Sequence, residues 1–176
     1  MATNLEFIKS ASGSSVSSLS VTDCFSDKYD VYEVYISKVF GKQASGNAVL
    51  YMRFLDSGGS VISAAEYDWA MLDLKAYAAF TETKATSDTQ IERILIYEIT
   101  GRGDGAKIVI ANPYDSASYT FTMWQSSFII GGTNGFGAKG IGVHKSAEQL
   151  SGINFLPSTS TLDLEVSVYG VKWYGR

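Results

Sequence analysis

The feature that most constrains the fold is a two-residue alternation late in the chain. Leu162, Leu164, Val166 and Val168 fall on one side of an extended backbone, and Asp163, Glu165, Ser167 and Tyr169 on the other. A helix, with 3.6 residues per turn, would scatter both sets around its circumference, whereas a strand with one buried face sorts them. The same period returns in Tyr32, Val34 and Ile36 against Glu33, Tyr35 and Ser37. It appears again in Tyr119, Phe121 and Met123 against Thr120, Thr122 and Trp124, where the first set reads as the buried side. Further strands are expected over 16–21, 48–55, 91–99, 107–111 and 140–144. Turn signals stand at Asp56-Ser57-Gly58-Gly59 and Gly101-Arg102-Gly103-Asp104-Gly105. Roughly eight short antiparallel strands with faces to cover imply an all-β, two-sheet antiparallel sandwich, jelly-roll-like. Residues 67–80, with Trp69, Leu72, Lys75, Tyr77 and several alanines, fit neither period and read as irregular, with room for a short helix. The serine-rich stretch 10–20 resembles a linker, but Val16 and Leu19, with Val21 just beyond, make an edge strand of it.

At 176 residues, 45% of them hydrophobic, the chain is expected to form one β-sandwich domain over 1–176. The formal charge is −4 and the lysines and arginines are scattered singly, so no concentrated field awaits a phosphate backbone and nucleic acid is not an expected partner. The start, Met1-Ala2-Thr3-Asn4-Leu5-Glu6, has neither the basic region nor the apolar run of a secretory signal. No stretch approaches the length of a membrane helix, so no membrane partner is expected. The whole chain is read as the mature protein, made in a cytoplasm. Cys24 is the single cysteine; it can close no intramolecular disulfide and reads as a small buried residue.

The chemical motifs fail one by one. Asp56-Ser57-Gly58-Gly59-Ser60 has the look of a serine-protease nucleophile loop, but the single histidine, His144, lies downstream of it where that chemistry needs one upstream; the segment reads as a hairpin turn. His144 itself has no cysteine or paired carboxylates at ligand spacing in the sequence and reads as a structural or surface residue. Gly135-Phe136-Gly137-Ala138-Lys139-Gly140 matches the dinucleotide fingerprint literally, yet Ile141-Gly142-Val143-His144 reads as a strand where a helix is required; the glycines read as a flexible loop. Arg102-Gly103-Asp104 spells an adhesion tripeptide inside what is ordinary turn chemistry. Asp23, Asp27 and Asp30 lack the spacing of a calcium loop and mark a turn before Val31. Glycan hydrolysis would need two facing carboxylates, which sequence alone does not place. No catalytic, cofactor-binding or metal-binding residue is therefore expected.

What remains is an excess of aromatic residues, 13% of the chain with 11 tyrosines and three tryptophans. Tyr35, Trp124 and Tyr169 fall on strand faces that are otherwise polar, where rings can anchor a partner protein or stack on sugar, and these three are the candidate interface.

Several segments resemble small structural proteins of marine tailed phages, including those of cyanobacteria. They are Ser18-Leu19-Ser20-Val21-Thr22-Asp23, Tyr29-Asp30-Val31-Tyr32-Glu33-Val34-Tyr35-Ile36, the run from Leu50 to Gly59, and Glu66-Tyr67-Asp68-Trp69-Ala70. The likeness continues from Asn112 to Phe121, through Gly152-Ile153-Asn154-Phe155, to Val168-Tyr169-Gly170-Val171-Lys172. The resemblance implies a non-enzymatic virion protein of jelly-roll type, made in the host cytoplasm and bound to other virion proteins and to itself, as a homotrimer. Within that class a capsid decoration or cement protein is the first expectation. A tail-fibre or tail-tip module that binds a receptor or glycan is the alternative.

Overall fold

The computed structural model describes residues 4–42, 46–98, 105–130 and 133–172, and these are all-β. In chain order the strands are β1 (Leu5–Val16), β2 (Leu19–Val21), β3 (Val31–Gly41), β4 (Asn47–Asp56), β5 (Tyr67–Lys75) and β6 (Thr81–Asp88). Then come β7 (Ile91–Glu98), β8 (Gly105–Ala111), β9 (Thr120–Ile130), β10 (Asn134–His144), β11 (Leu150–Pro157) and β12 (Leu162–Val171). They form two antiparallel sheets, one ordered β1-β12-β3-β8-β9-β10-β5-β6 and the other β2-β11-β4-β7.

The pairing is nested. β1 lies beside β12, β2 beside β11, β3 beside β8 and β4 beside β7, which is a long antiparallel hairpin rolled so that its successive pairs alternate between two sheets. That is the jelly-roll topology. Two hairpins are added to it. β5–β6 is inserted between β4 and β7, β9–β10 between β8 and β11, and both attach beyond β8, widening one sheet from four strands to eight.

The core fills the space between the sheets. Tyr32, Val34, Ile36, Ile108, Ile110, Leu164, Val166 and Val168 face Leu50, Met52, Phe54, Ile153 and Phe155, all buried. β7 runs beneath the middle of the large sheet, touching β3, β5, β8, β9 and β10. It does so through a break in its ladder with β4. Between Leu50↔Leu95 and Met52↔Ile91 the strand carries extra residues, and Arg93 there has φ 57°. The excursion carries the Arg93 guanidinium across to β5, 3.1 Å from Asp73 Oδ2, in an ion pair whose acid is nearly buried.

Several expectations require correction. The irregular reading of residues 67–80 holds only for 76–80: over 67–75 β5 turns Tyr67, Trp69, Met71 and Asp73 inward, an alternation disguised because one inward residue is an aspartate and outward Leu72 is apolar. The glycines at 135, 137 and 140 lie in β10 rather than in a loop. Gly140 sits opposite Trp124 on β9, and a Cβ there would come within 2.2 Å of the indole, so the ring lies where a side chain would otherwise be. The stretch 16–21 is divided, with Val16 ending β1 and Leu19 and Val21 in β2. β6 and β11 are not anticipated as strands at all. The turn at Asp56 forms, the carboxylate accepting from Gly58 N at 2.9 Å and Ser60 N at 2.8 Å, with Gly59 at φ +82°. It leads into a crossing between the sheets. Arg102-Gly103-Asp104 lies outside the described residues. Cys24 is buried, its thiol directed at Val21 O, and burial pushes its pKa up to about 12.

Candidate interaction face

The alternation of β9 is real, but its polarity is the reverse of the expected one. Thr120, Thr122, Trp124, Ser126 and Phe128 point into the sandwich, while Phe121 and Met123 point out. Phe121 is 49% exposed and Met123 55%. The physical reason lies further along the strand. The inward set includes both Trp124 and Phe128, the outward set includes Gln125 and Ser127, and burying the larger rings decides the side for the whole strand. Trp124 is accordingly a core residue, 3% exposed beneath the sheet, and it is removed from the interface candidates.

The registers place the outward residues in rows running across the large sheet. One continuous row is Phe7, Tyr169, Glu33, Val109, Met123, Ile141, Ala70 and Lys84, each directly opposite the next on the neighbouring strand. Beside it runs Ala111, Phe121 and Val143. Six apolar side chains, Val109, Ala111, Phe121, Met123, Ile141 and Val143, therefore meet over the middle of the sheet. Cross-strand neighbours lie within about 5.5 Å of each other, so these side chains form one patch and not isolated exposures. The face curves between β8 and β6 into a groove of about 560 Å³ lined by these residues together with Lys84 and Asp68. Lys139 and Glu82 stand along its next row, on either side of Leu72. Neither lysine forms an ion pair with any described residue, nor does Glu82; Asp68 is held 2.7 Å from Lys145.

Tyr35 and Tyr169 lie on the outer face of the same sheet, toward its other edge, with their rings perpendicular at 5.7 Å. Phe7 continues the cluster at 5.6 Å from Tyr169. Here the aromatic residues are tied down. The Tyr35 hydroxyl donates to Glu33 at 2.6 Å, and Lys107 reaches the same carboxylate at 2.6 Å while lying 5.6 Å from the Tyr35 ring centre. The hydrogen bond to Glu33 raises the pKa of Tyr35, and the same carboxylate raises that of Lys107. The structure thus keeps two of the three sequence candidates on the face and adds Phe121, Met123 and Ile141. For Phe121 and Met123 the signal is present in the alternation, with the opposite side expected to be outward.

One edge of this sheet is poorly suited to pairing. β6, at one end, reads Thr81-Glu82-Thr83-Lys84-Ala85-Thr86-Ser87-Asp88, almost wholly polar, and charged edges discourage strand addition.

No family model matches the chain, and no curated protein does. Among solved structures, one similarity is to the CBM2 module of the evolved Dit of Lactobacillus casei BL23 phage J-1, at 10% identity and TM-score 0.22, covering 89% of this chain and 70% of that one. Another is to the C2A domain of plant Extended Synaptotagmin 1, at 12% identity and TM-score 0.21, covering 85% of this chain and 100% of that one. Both overlaps are too loose to transfer a binding property to this chain.

Proposed function

We propose that the chain is a non-enzymatic structural protein of a tailed-phage particle, a decoration or cement protein that seats the outer face of its eight-stranded sheet on a shell subunit. The observation that supports this reading is the contiguous apolar patch of Val109, Phe121, Met123 and Ile141 at the centre of the sheet's outer face. Large apolar side chains in water gain about 1.5–3 kcal/mol each on burial, so such a patch favours association. The fitting occupant is an apolar protein surface carrying carboxylates at its margin, since Lys84 and Lys139 border the groove without partners among the described residues and outnumber the one unpaired acid, Glu82. In this role the chain works as a trimer, each copy turning the same face to the shell.

A glycan-binding module at the tail is the second reading, supported by the exposed rings of Phe121, which lines the groove, and Tyr119, two residues before it. Sugar recognition also needs polar groups that converge on hydroxyls, and the patch residues supply none.

Particles lacking the protein should recover regular density across the head when mixed with wild-type protein, and should not when mixed with a Met123→Asp, Ile141→Asp variant. Added salt should weaken binding only modestly. Density at the tail or on host cells, or a variant that binds the head as well as wild type, would overturn the decoration reading. The solution mass of the free protein tests the trimer.

A further inference from the structure

The single histidine of the chain ends β10 with its imidazole fully buried, 5.0 Å from the ring of Tyr67 and 5.9 Å from that of Phe54. Its Nε2 faces out of this apolar setting toward two carboxylates. Glu66 Oε2 lies 3.2 Å away and Glu148 Oε1 3.7 Å away. The two acids come from different segments, Glu66 from the residues leading into β5 and Glu148 from those leading into β11. Their backbones are set: Lys145 N donates to Glu66 O at 2.8 Å, tying that segment to the end of β10, and Leu150 N donates to Pro113 O at 2.8 Å just beyond Glu148.

A hydrogen bond between His144 and Glu66 accounts for only part of this arrangement. Nε2 carries at most one proton and can satisfy one carboxylate, so the second carboxylate faces the same nitrogen without a hydrogen bond from it. Neither glutamate forms an ion pair with a lysine or arginine among the described residues; the neighbouring Lys145 is engaged by Asp68 at 2.7 Å. Nδ1 has no hydrogen-bond partner; it holds the lone pair when Nε2 donates to Glu66 and the proton when Nε2 binds an ion. One imidazole nitrogen and two carboxylate oxygens, all within 4.8 Å of one another, are a three-ligand set whose mouth is open to solvent, with the glutamate side chains 38% and 33% exposed.

We propose that Glu66, His144 and Glu148 form a binding site for a divalent transition-metal ion of the zinc type. Donors at about 2.0–2.2 Å from a tetrahedral ion stand about 3.4 Å apart, which is the range already held by both nitrogen–oxygen pairs. Only the two half-exposed carboxylates need to draw together. The mixed nitrogen and oxygen set suits zinc, cobalt or nickel better than magnesium or calcium, which favour all-oxygen shells with more ligands. The fourth position falls to water. The ion would pin the end of β10 to the residues before β5 and β11, and so act on stability.

The test uses the untagged full chain, so that His144 is the only imidazole present. Zinc titrated into metal-free protein should raise Tm in a saturable way, magnesium should not, and cobalt should give the visible absorption of a low-coordinate site. Glu66→Gln and Glu148→Gln are substitutions of partly exposed residues that leave the buried imidazole in place. Each should weaken zinc and cobalt binding on the order of 100-fold, and the double variant should abolish it. The ¹⁵N signals of the one imidazole should shift on zinc addition in wild type and not in the double variant. Absence of uptake at millimolar zinc would overturn the proposal and leave a simple hydrogen bond. So would binding unchanged in the double variant, which would place the ion elsewhere on the surface.

Discussion

The two halves of the eight-stranded sheet sort polar and apolar residues to different degrees. In the jelly-roll half, β1, β12, β3 and β8, apolar residues such as Val34, Ile108 and Val166 point inward. The outward positions carry Glu33 paired with Lys107 and Lys38 paired with Glu165. In the half built from the inserted hairpins, Thr120, Thr122, Ser126, Asp73 and His144 are among the inward residues, while Phe121, Met123 and Ile141 face water. Both halves share one sheet and one core, so the difference does not come from the fold. The jelly-roll half does what any amphipathic strand does to close a core. The inserted half departs from that rule on both of its faces, and departures of this kind concentrate where contact with something outside shaped the sequence.

The comparison is broken most forcefully through the inward polar groups. Arg93→Ala removes the only ion-pair partner that the described residues give Asp73, whose side chain is 6% exposed, and leaves its carboxylate with only the Thr81 hydroxyl. Orphaning a buried acid in this way costs about 3 kcal/mol or more, read as a fall in the urea midpoint at constant slope. A cost below about 1 kcal/mol would mean that water replaces the guanidinium and that the inserted half is open inside as well as out.

Next in size is Gly140→Ala. The added methyl would occupy the position of the Trp124 ring, which cannot move without repacking against β7, and overpacking of this kind costs about 2 kcal/mol. Combining it with Trp124→Phe should recover part of that loss, because the smaller ring leaves room and the indole Nε1 has no hydrogen bond to forfeit. Strict additivity of the two changes would show that ring and glycine are not in contact.

Thr122→Val tests the same interior with the opposite sign. The Thr122 hydroxyl is buried without a partner, so its replacement by a methyl of similar shape should stabilise the protein by about 1 kcal/mol, seen as a rise in Tm. A loss of stability would reveal an internal water that the hydroxyl serves.

How much of this was legible in the sequence follows from how each strand reads in isolation. β3, β4, β7, β8 and β12 carry their buried faces as plain alternation or as apolar runs, and two sheets follow from them. The nested order of pairing does not, because it depends on partners such as β1 and β12 at opposite ends of the chain. β6 was invisible because an edge strand exposed on both faces has no apolar period to show. The second half of β10 is legible as the strand 140–144, while its first half is hidden by glycines. On the candidate face, Tyr35 and Tyr169 were correctly placed outward because their strands are amphipathic in the ordinary sense. Trp124 was not, because a short window of β9 favours the wrong side. The cluster around His144 could not be read from spacing, since Glu66 lies 78 residues away and only the sheet register brings it near.

The smallest effect on stability should come from the outer patch itself. Phe121→Ser, Met123→Ser and Ile141→Thr remove large apolar side chains already about half exposed or more, so each should change the unfolding free energy by no more than about 0.5 kcal/mol. An inward change such as Val34→Ser in the jelly-roll half should instead cost several times as much, because it leaves both a void and a buried hydroxyl. If the patch serves contact and not folding, these near-silent changes are the ones that abolish head binding, while Thr122→Val, more stable, binds as wild type does. If instead they destabilise the chain like Val34→Ser, the patch is already covered in the isolated protein by a second copy, and the solution mass should fall to that of one chain in the same variants.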